Sequence, residues 1–391
     1  MASVVISGDT SGAITLQSPA VAGTNTVNFG ANTGTAILDA NTPAFRNRII
    51  NGAMVIDQRN AGASVTPTID PTYTLDRWFL TASQASKLSI QQNAASVTSA
   101  VGFTNYLGAT SLSAYSVATS DYFSLAQAIE GYNIADLGWG TANAKTVTLS
   151  FQVYSSLTGT FGGALRSANA NRSYPFSYTI STANTWTTIS ITIAGDTSGT
   201  WLTTNGIGVV VRFGLGAGAT YSSTAGAWAT GNYFSATGAT SVVGTNAATW
   251  YITGVQLEKG STATSFDYRP YGTELQLCQR YYQRVKAVSA TTRFASGFSQ
   301  NATQGEVFIP FPVTMRTAPT GLDQSGTASD YRVTTGSGGG VVCSAVPVFN
   351  TASTDLMDMV FTVASGLTAG QGTVLLANAG ANAFLGWGAE L

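Results

Sequence analysis

The chain has 391 residues, of which 44% are apolar and only 9% are charged, and its net charge at pH 7 is −1. It contains no histidine, which excludes Ser-His-Asp and Cys-His catalysis and every histidine-based metal site. A net charge this close to zero predicts no nucleic-acid partner, and no apolar run reaches the roughly 18 residues that a membrane span needs. Charge this sparse is typical of a protein that buries much of its surface in a rigid assembly.

The N-terminal residues 1–45 are a predicted attachment segment. Short β-like runs alternate there with turns rich in Gly, Asn and Ser. A segment this small cannot build a core of its own, so we expect it to become ordered against another protein or another copy of the chain; the alternative is a disordered tail. The first basic residue is Arg46, and we therefore predict no signal peptide.

Residues 46–270 carry repeated strand signals and form the main predicted domain. In the run 146–154 (TVTLSFQVY), apolar and polar residues alternate, which puts the apolar ones on one face of a strand. Helical periodicity is nearly absent. Many strands of this length with irregular loops favour two antiparallel sheets packed as a jelly-roll-like sandwich. The other clear strand signals lie at 174–180, 186–193, 208–213 and 249–257.

One helix is predicted, over residues 271–287, as a link between two domains. Thr273 and Gln276 form the T-x-x-Q pattern of a capping box, and Pro270 closes the extended run before it. Apolar residues then recur at helical spacing, namely Leu275, Cys278, Tyr282 and Val285.

Residues 288–391 predict a second, smaller β-domain. Pro310 and Pro312 restrict their run to an edge strand, because proline cannot donate to a β-ladder. The two cysteines, Cys278 and Cys343, fall in different predicted domains and cannot make a disulfide framework. The predicted fold class is therefore all-β, a jelly-roll-like antiparallel sandwich with a short linking helix, a second smaller β-domain and a small N-terminal β-segment. The strand signals of this last domain are 308–313, 338–349, 357–363 and 373–377.

Three strings carry a resemblance to a known family. The string GVQLEKGSTATSFDYRPYGTELQLCQRYY at 254–282 resembles a segment that recurs in phage tail-fibre and virion structural proteins. RNRIINGAMVIDQRNAG at 46–62 is similar to the opening of the same module, and the final GWGAEL matches the way such chains often end. The resemblance implies a homotrimeric fibre in the virion tail, attached to tail or baseplate proteins through residues 1–45.

The central part resembles carbohydrate-binding modules of the galactose-binding-like class. Such modules often hold a structural calcium ion between the first and last strands, and the matching oxygens here belong to Asn51, Asp57 and Glu258. Thr253 and Gly254 stand where that family often has acidic residues, and we predict no metal and no cofactor.

Aromatic residues among turn residues are the best candidates for sugar binding. Sugar rings pack their C–H faces on flat aromatic surfaces while their hydroxyls bond to polar side chains. The run 221–234 (YSSTAGAWATGNYF) lacks alternation and reads as a long loop, and long loops in compact domains tend to be functional. The alternative for a tryptophan in a sandwich is a core position. The predicted carbohydrate-binding residues are Tyr221, Trp228, Tyr233 and Trp201.

The sequence shows no catalytic pair. Hydrolysis of a glycosidic bond needs two flanking carboxylates, and no cluster stands out among the 18 Asp and Glu residues. We therefore predict a non-enzymatic tail fibre that binds a bacterial surface polysaccharide for host recognition, with no membrane insertion. The alternatives are a purely structural virion component (a head fibre, a decoration protein or a tail spacer), a polysaccharide depolymerase, or a cellular carbohydrate-binding module.

Overall fold

The structure is a computed structural model, and it describes residues 3–7, 13–17, 46–336, 340–378, 380 and 382–391. The chain divides into two compact units, Met1–Ala44 and Phe45–Leu391. In the first unit, strands β1 (Ser3–Ser7) and β2 (Ala13–Gln17) pair antiparallel. The other strand signals before Phe45, and the predicted attachment to a tail, lie outside the described residues.

The second unit begins with a sandwich of two sheets. A seven-stranded sheet has the order β14-β10-β9-β12-β7-β4-β3, and a five-stranded sheet has the order β11-β8-β16-β6-β5. All the pairings in these two sheets are antiparallel, and the short pair β13–β15 is parallel. The strands are β3 (Thr72–Leu75), β4 (Trp78–Ala82), β5 (Leu88–Gln92), β6 (Leu107–Ser111), β7 (Tyr122–Glu130), β8 (Val147–Ser155), β9 (Gly159–Ser167), β10 (Arg172–Ile180), β11 (Thr187–Ile193), β12 (Ile207–Ala217), β13 (Ser222–Ser223), β14 (Ala229–Thr230), β15 (Ser235–Ala236) and β16 (Thr249–Lys259).

Alternation along the strands builds the core between the two sheets. On β8, the apolar residues at alternate positions are all buried, and the opposite sheet meets them with residues such as Phe213 of β12. Phe151 and Phe213 contact edge to face, with ring centroids 5.0 Å apart. The predicted face of the run 146–154 is therefore confirmed, and so is the all-β sandwich. The core residues of β8 are Val147, Leu149, Phe151 and Val153.

The helix is shorter than predicted. Helix α1 (Tyr271–Gln279) begins after Pro270, two residues before the predicted capping box, and no side chain caps it. Residues 282–286, which we predicted as helical, form a strand instead. The correction has a physical reason: Tyr282 and Val285 belong to a strand that pairs along its whole length with a strand near the C-terminus.

The remaining strands form a closed barrel and a small sheet beside it. The barrel has the order β18-β19-β23-β22-β21-β24, and the sheet has the order β17-β25-β20. The barrel core is separate from the sandwich core and includes Tyr331, Phe361 and Trp387. The strands are β17 (Tyr282–Lys286), β18 (Arg293–Ser299), β19 (Gln304–Pro310), β20 (Asp323–Gln324), β21 (Tyr331–Thr335), β22 (Gly340–Ala352), β23 (Leu356–Val363), β24 (Gly372–Ala377) and β25 (Phe384–Gly388).

The predicted edge strand is not at an edge. β19 pairs with β18 on one side and with β23 on the other. Pro310 is its last residue, where the missing N–H is tolerated because the strand ends there.

The sandwich and the barrel meet at a junction made of buried charges. The Glu390 carboxylate, just after β25, forms ion pairs with Arg77 and, at 2.9 Å, with Arg59. Glu130, at the end of β7, accepts hydrogen bonds from Arg280 (2.6 and 2.9 Å) and from the Tyr281 hydroxyl (2.6 Å). The strings 46–62, 254–282 and 386–391 therefore meet at the junction. Within the described ranges, no helix has the length and apolarity that a membrane crossing requires.

Candidate functional site

A cavity of 330 Å³ lies on the outer face of the seven-stranded sheet. Its floor follows from strand alternation: on β12, Val209, Val211 and Phe213 point into the core, so Val210 and Arg212 point outwards. Arg212 lies opposite Ala126 of β7 and Ala164 of β9. Because both neighbours are alanines, the bulky side chain beside the guanidinium comes from outside these two strands, namely Phe234.

Arg212 is the charged centre of this cavity, and it is 4% exposed. Its Nη1 donates to the Thr81 hydroxyl (2.9 Å) and to the Ser124 hydroxyl (3.1 Å). The ring of Phe234 covers the guanidinium, with its centroid 4.2 Å from Cζ. Burial, and then the nearby charge of Arg166, lower the pKa of Arg212 to about 9, so the group stays cationic at neutral pH at a cost in free energy.

Arg166 of β9 is the second arginine that lines the cavity. It lies opposite Val210 in the register of the sheet, and its Nη1 donates to the Asn232 side-chain oxygen at 2.9 Å. Burial lowers the pKa of Arg166 as well. In the described part of the chain, no carboxylate oxygen lies within 4.0 Å of either guanidinium.

Three aromatic rings form one wall. Tyr122, Tyr221 and Phe234 contact one another, with centroids 4.7 to 5.2 Å apart. The Tyr122 hydroxyl donates to Asp70 at 2.7 Å, and burial together with this hydrogen bond raises the pKa of Tyr122 to about 12. Asp70 also accepts from the Ala82 N–H at 3.2 Å, so each of its two oxygens has one protein donor. Tyr122 and Tyr221 meet edge to face and are half-buried, whereas Phe234 is 4% exposed, so the open aromatic surface of the wall belongs to the two tyrosines.

Of the four predicted sugar-binding residues, the structure places Tyr221 in this cavity. Tyr233 lies nearby on the loop, and its hydroxyl donates to the Thr230 carbonyl at 3.3 Å. The predicted loop 221–234 contains the short strands β13 and β14, and β14 forms one edge of the seven-stranded sheet.

Trp201 and Trp228 lie elsewhere, in a cluster with Trp139. Their ring centroids are 4.8 to 5.4 Å apart, all in edge-to-face contact. Each indole N–H donates to a backbone carbonyl, at 2.7 to 3.1 Å. Trp201 is buried and Trp228 is half-buried, so the cluster packs against the core. Sugar binding by these four residues stays a prediction.

The three oxygens that matched a calcium site are engaged with protein donors. The Asn51 oxygen accepts from the Ile56 N–H at 3.0 Å, and Asp57 accepts from the N–H groups of Asn60 and Gly62. Glu258 accepts from Thr264 at 2.7 and 2.8 Å. Among the described residues, no group of three or more Cys, Asp or Glu side chains could hold a metal ion.

A second groove, of 320 Å³, lies on the outer face of the five-stranded sheet. Phe103, Phe266 and Tyr268 form its aromatic wall, and Gln152 and Thr188 line its polar side. Every residue that lines it is uncharged. This groove is therefore a natural comparison for the charged cavity.

Sequence reasoning missed Arg166, Arg212, Asp70 and Tyr122 as site residues. One signal was present: Arg212 interrupts the apolar run VVVRFG on a predicted strand, and arginine is rarely buried unless it is paired. Asp70 and Tyr122 gave no such signal, because they come together only through the pairing of β4 with β7.

Comparisons with known proteins give weak likenesses. No protein-family model matches the chain, and no curated protein matches it. Similar solved structures include the enzymatically active domain of tailspike protein 4 of bacteriophage CBA120, with 9% identity and a TM-score of 0.31 over 56% of this chain and 22% of that one. A family 11 carbohydrate-binding module of a Clostridium thermocellum cellulosomal cellulase has 13% identity and a TM-score of 0.26, over 51% and 98% of the two chains.

A putative sugar-binding protein from Bacteroides thetaiotaomicron has 12% identity and a TM-score of 0.31, over 55% of this chain and 100% of that one. Likenesses this weak indicate nothing about what this chain binds.

Proposed function

We propose that this protein is a non-enzymatic bacteriophage tail fibre, homotrimeric in the virion, that binds a bacterial surface glycan for host recognition. The virion role rests on the three strings at 46–62, 254–282 and 386–391 that resemble tail-fibre modules. The binding role rests on the cavity of the seven-stranded sheet.

The observation that carries the binding role is the convergence of rings and hydrogen-bonding groups in one open cavity. Tyr122 and Tyr221 supply aromatic surface for the C–H face of a sugar, and Asn232 and the two arginines supply polar groups for its hydroxyls. One shallow site binds weakly, but linked sites in a fibre can gain about 10²–10⁴ in avidity. A homotrimer would supply such linkage.

The lining also favours binding over hydrolysis. Glycosidic cleavage needs two carboxylates on either side of the bond. Asp70 is the one carboxylate side chain among the residues that line this cavity, and its oxygens are held by Tyr122 and Ala82.

The test is binding of the purified full chain to an array of immobilised bacterial lipopolysaccharides and capsular polysaccharides. We expect saturable binding that falls about tenfold or more in Tyr221→Ala and is unchanged in Tyr268→Ala, which alters the second groove. The wash should contain no newly released reducing ends, and sedimentation should give the mass of a trimer.

Two outcomes would contradict the proposed function, and a third would move its binding site. Release of reducing ends would make the protein a depolymerase. Correctly folded protein that binds no polysaccharide would favour a purely structural virion role, which electron microscopy of labelled particles could then locate. Binding lost in Tyr268→Ala but kept in Tyr221→Ala would move the glycan site to the second groove.

A further inference from the structure

We propose that the cavity of the seven-stranded sheet selects acidic sugars, and that Arg212 and Arg166 bind the carboxylate of a uronic-acid-type residue. This inference rests on the proposed glycan-binding function and names the class of its ligand.

Arg212 is an exception among the buried arginines. Arg48 and Arg77 are as deeply buried as Arg212, and each forms an ion pair, with Asp136 and Glu390 respectively. Removing a guanidinium from water is costly unless an anion compensates. At Arg212, two hydroxyl oxygens and one aromatic ring are the direct partners; Asp70 acts on it only at longer range, and among the described residues no carboxylate lies within 4.0 Å.

The Nη2 groups of the two arginines, unlike their buried Nε–H groups, are available to one ligand. Arg212 and Arg166 each use only Nη1 as a donor. A buried Nε–H without a partner also occurs in Arg48 and Arg77, so that feature alone does not mark a site. What distinguishes Arg212 and Arg166 is that both line the same open cavity and, among the described residues, neither forms an ion pair there.

Neither guanidinium has a direct ion-pair partner in the lining. The Asp70 carboxylate and the α-carboxylate of Leu391 also line the cavity, but among the described residues no carboxylate lies within 4.0 Å of Arg212 or Arg166. A carboxylate on the ligand would supply that ion pair. A carboxylate matches the planar fork of a guanidinium, which binds it through two parallel N–H···O bonds.

The aromatic wall indicates that the anion is attached to a sugar. Tyr122 and Tyr221 can take the C–H face of a pyranose ring, while Asn232 and Thr81 stand at hydrogen-bonding positions beside the arginines. A free inorganic anion would leave this aromatic wall unused. The combination of flat surface and paired cations therefore points to a sugar that carries its own carboxylate.

The experiment is calorimetric titration of the full chain with three probes at equal ionic strength. The probes are oligogalacturonate, the same oligosaccharide reduced at C6 to neutral galactose residues, and inorganic phosphate. We expect the acidic oligosaccharide to bind at least tenfold more tightly than its neutral form. Arg212→Gln and Arg166→Gln should each lose that preference, and Tyr268→Ala should keep it.

Arg212→Gln removes an uncompensated buried charge and keeps a hydrogen-bonding group, so we expect it to fold. A thermal midpoint at or above that of the unaltered protein, with unchanged mass in sedimentation, would verify that loss of binding is local.

The other outcomes overturn the inference and separate it from the proposed function. Equal affinity for the acidic and neutral oligosaccharides would leave a glycan-binding protein without acid selectivity. Binding of phosphate that depends on Arg212, without binding of oligogalacturonate, would replace the carboxylate by a phosphoryl group. No binding of either oligosaccharide, with a changed mass in Arg212→Gln, would make the cavity an interface between copies of the chain. Only this last result would also count against the proposed function.

Discussion

At the residue scale, Asp76 is a buried carboxylate in a chain that has no histidine. Its oxygens accept hydrogen bonds from the Gln58 N–H (2.7 Å) and the Gln58 side-chain amide (2.5 Å). Burial outweighs these bonds and the charge of Arg59, and it raises the pKa of Asp76 to about 7. The ordinary pKa of an aspartate is 3.8. Asp76 therefore titrates near neutral pH, the range in which histidine is usually the titrating side chain.

We predict that stability falls as pH rises through 7. The pKa of Asp76 is higher in the folded than in the unfolded state, so its protonation favours the fold fully below about pH 4 and the contribution is lost by about pH 8. The thermal midpoint should therefore decrease between about pH 5 and pH 8, and Asp76→Asn should flatten that slope. Glu130 should not contribute there, because hydrogen bonds from Arg280 and Tyr281 outweigh burial and hold its pKa below the ordinary value. An unchanged slope in Asp76→Asn would refute this assignment.

The ion pair between Arg77 and Glu390 makes a second prediction at this scale. Arg77 is 1% exposed, and Glu390→Gln would leave its charge buried without a carboxylate. Breaking such a pair costs about 3–5 kcal/mol, measurable as a shift in the urea unfolding midpoint. Lys259→Gln is the control, because its pair with Asp136 is 42% and 50% exposed and should contribute under about 1 kcal/mol. Equal shifts in the two variants would contradict the argument.

At the scale of elements, the alternation of apolar and polar residues predicted the strand of 146–154 well. It did not predict which strands lie side by side. The core face of β8 follows from its apolar spacing, because every second residue of a strand points to the same side of the sheet. Pairing partners far apart in the chain leave no such local mark. The run around Pro310 therefore suggested an edge, although barrel closure gives β19 two neighbours.

The helix and the loop also depend on tertiary contacts that local sequence patterns do not predict. Leu275 to Val285 has helical spacing, yet tertiary pairing with β25 converts its second half into β17. In the loop 221–234, Tyr221 lies in the cavity wall, and its role in sugar binding stays a prediction. The role of Trp228 depends on Trp139 and Trp201, which are distant in sequence and could not be placed beside it from composition.

The geometry of this loop predicts different effects for its two aromatic residues. Trp228 packs against two other tryptophans and Tyr174, so Trp228→Ala should destabilise the protein by roughly 2–3 kcal/mol, less than a fully buried tryptophan costs. Binding measured below the unfolding transition should survive that change. Tyr221→Ala should reduce binding with a smaller loss of stability. Thermal unfolding and polysaccharide binding on the same samples test both, and a Trp228→Ala protein that is stable but cannot bind would restore Trp228 as a sugar contact.

At the scale of the whole molecule, residues 384–391 belong to both halves of the second unit. Leu385 and Trp387 lie in the barrel core. Glu390 pairs with Arg59, which precedes the sandwich strands, and with Arg77, which lies between β3 and β4. Leu391 packs with Phe79 and Val210 at the edge of the cavity. One short segment therefore ties the barrel, the junction and the proposed binding site together.

We predict that deletion of residues 384–391 destabilises the sandwich as well as the barrel. Loss of β25 removes the partner of β17, and loss of Glu390 leaves Arg77 unpaired, so both cores should unfold at lower temperature and in overlapping transitions. Lys259→Gln, which keeps β25 and Glu390 and breaks only an exposed ion pair, is the comparison and should leave the unfolding of both cores unchanged. Calorimetry on the three proteins checks this. If the shorter protein kept a sandwich transition at its original temperature, the junction would not couple the two cores, and the sandwich would be an independent domain carried beside the barrel.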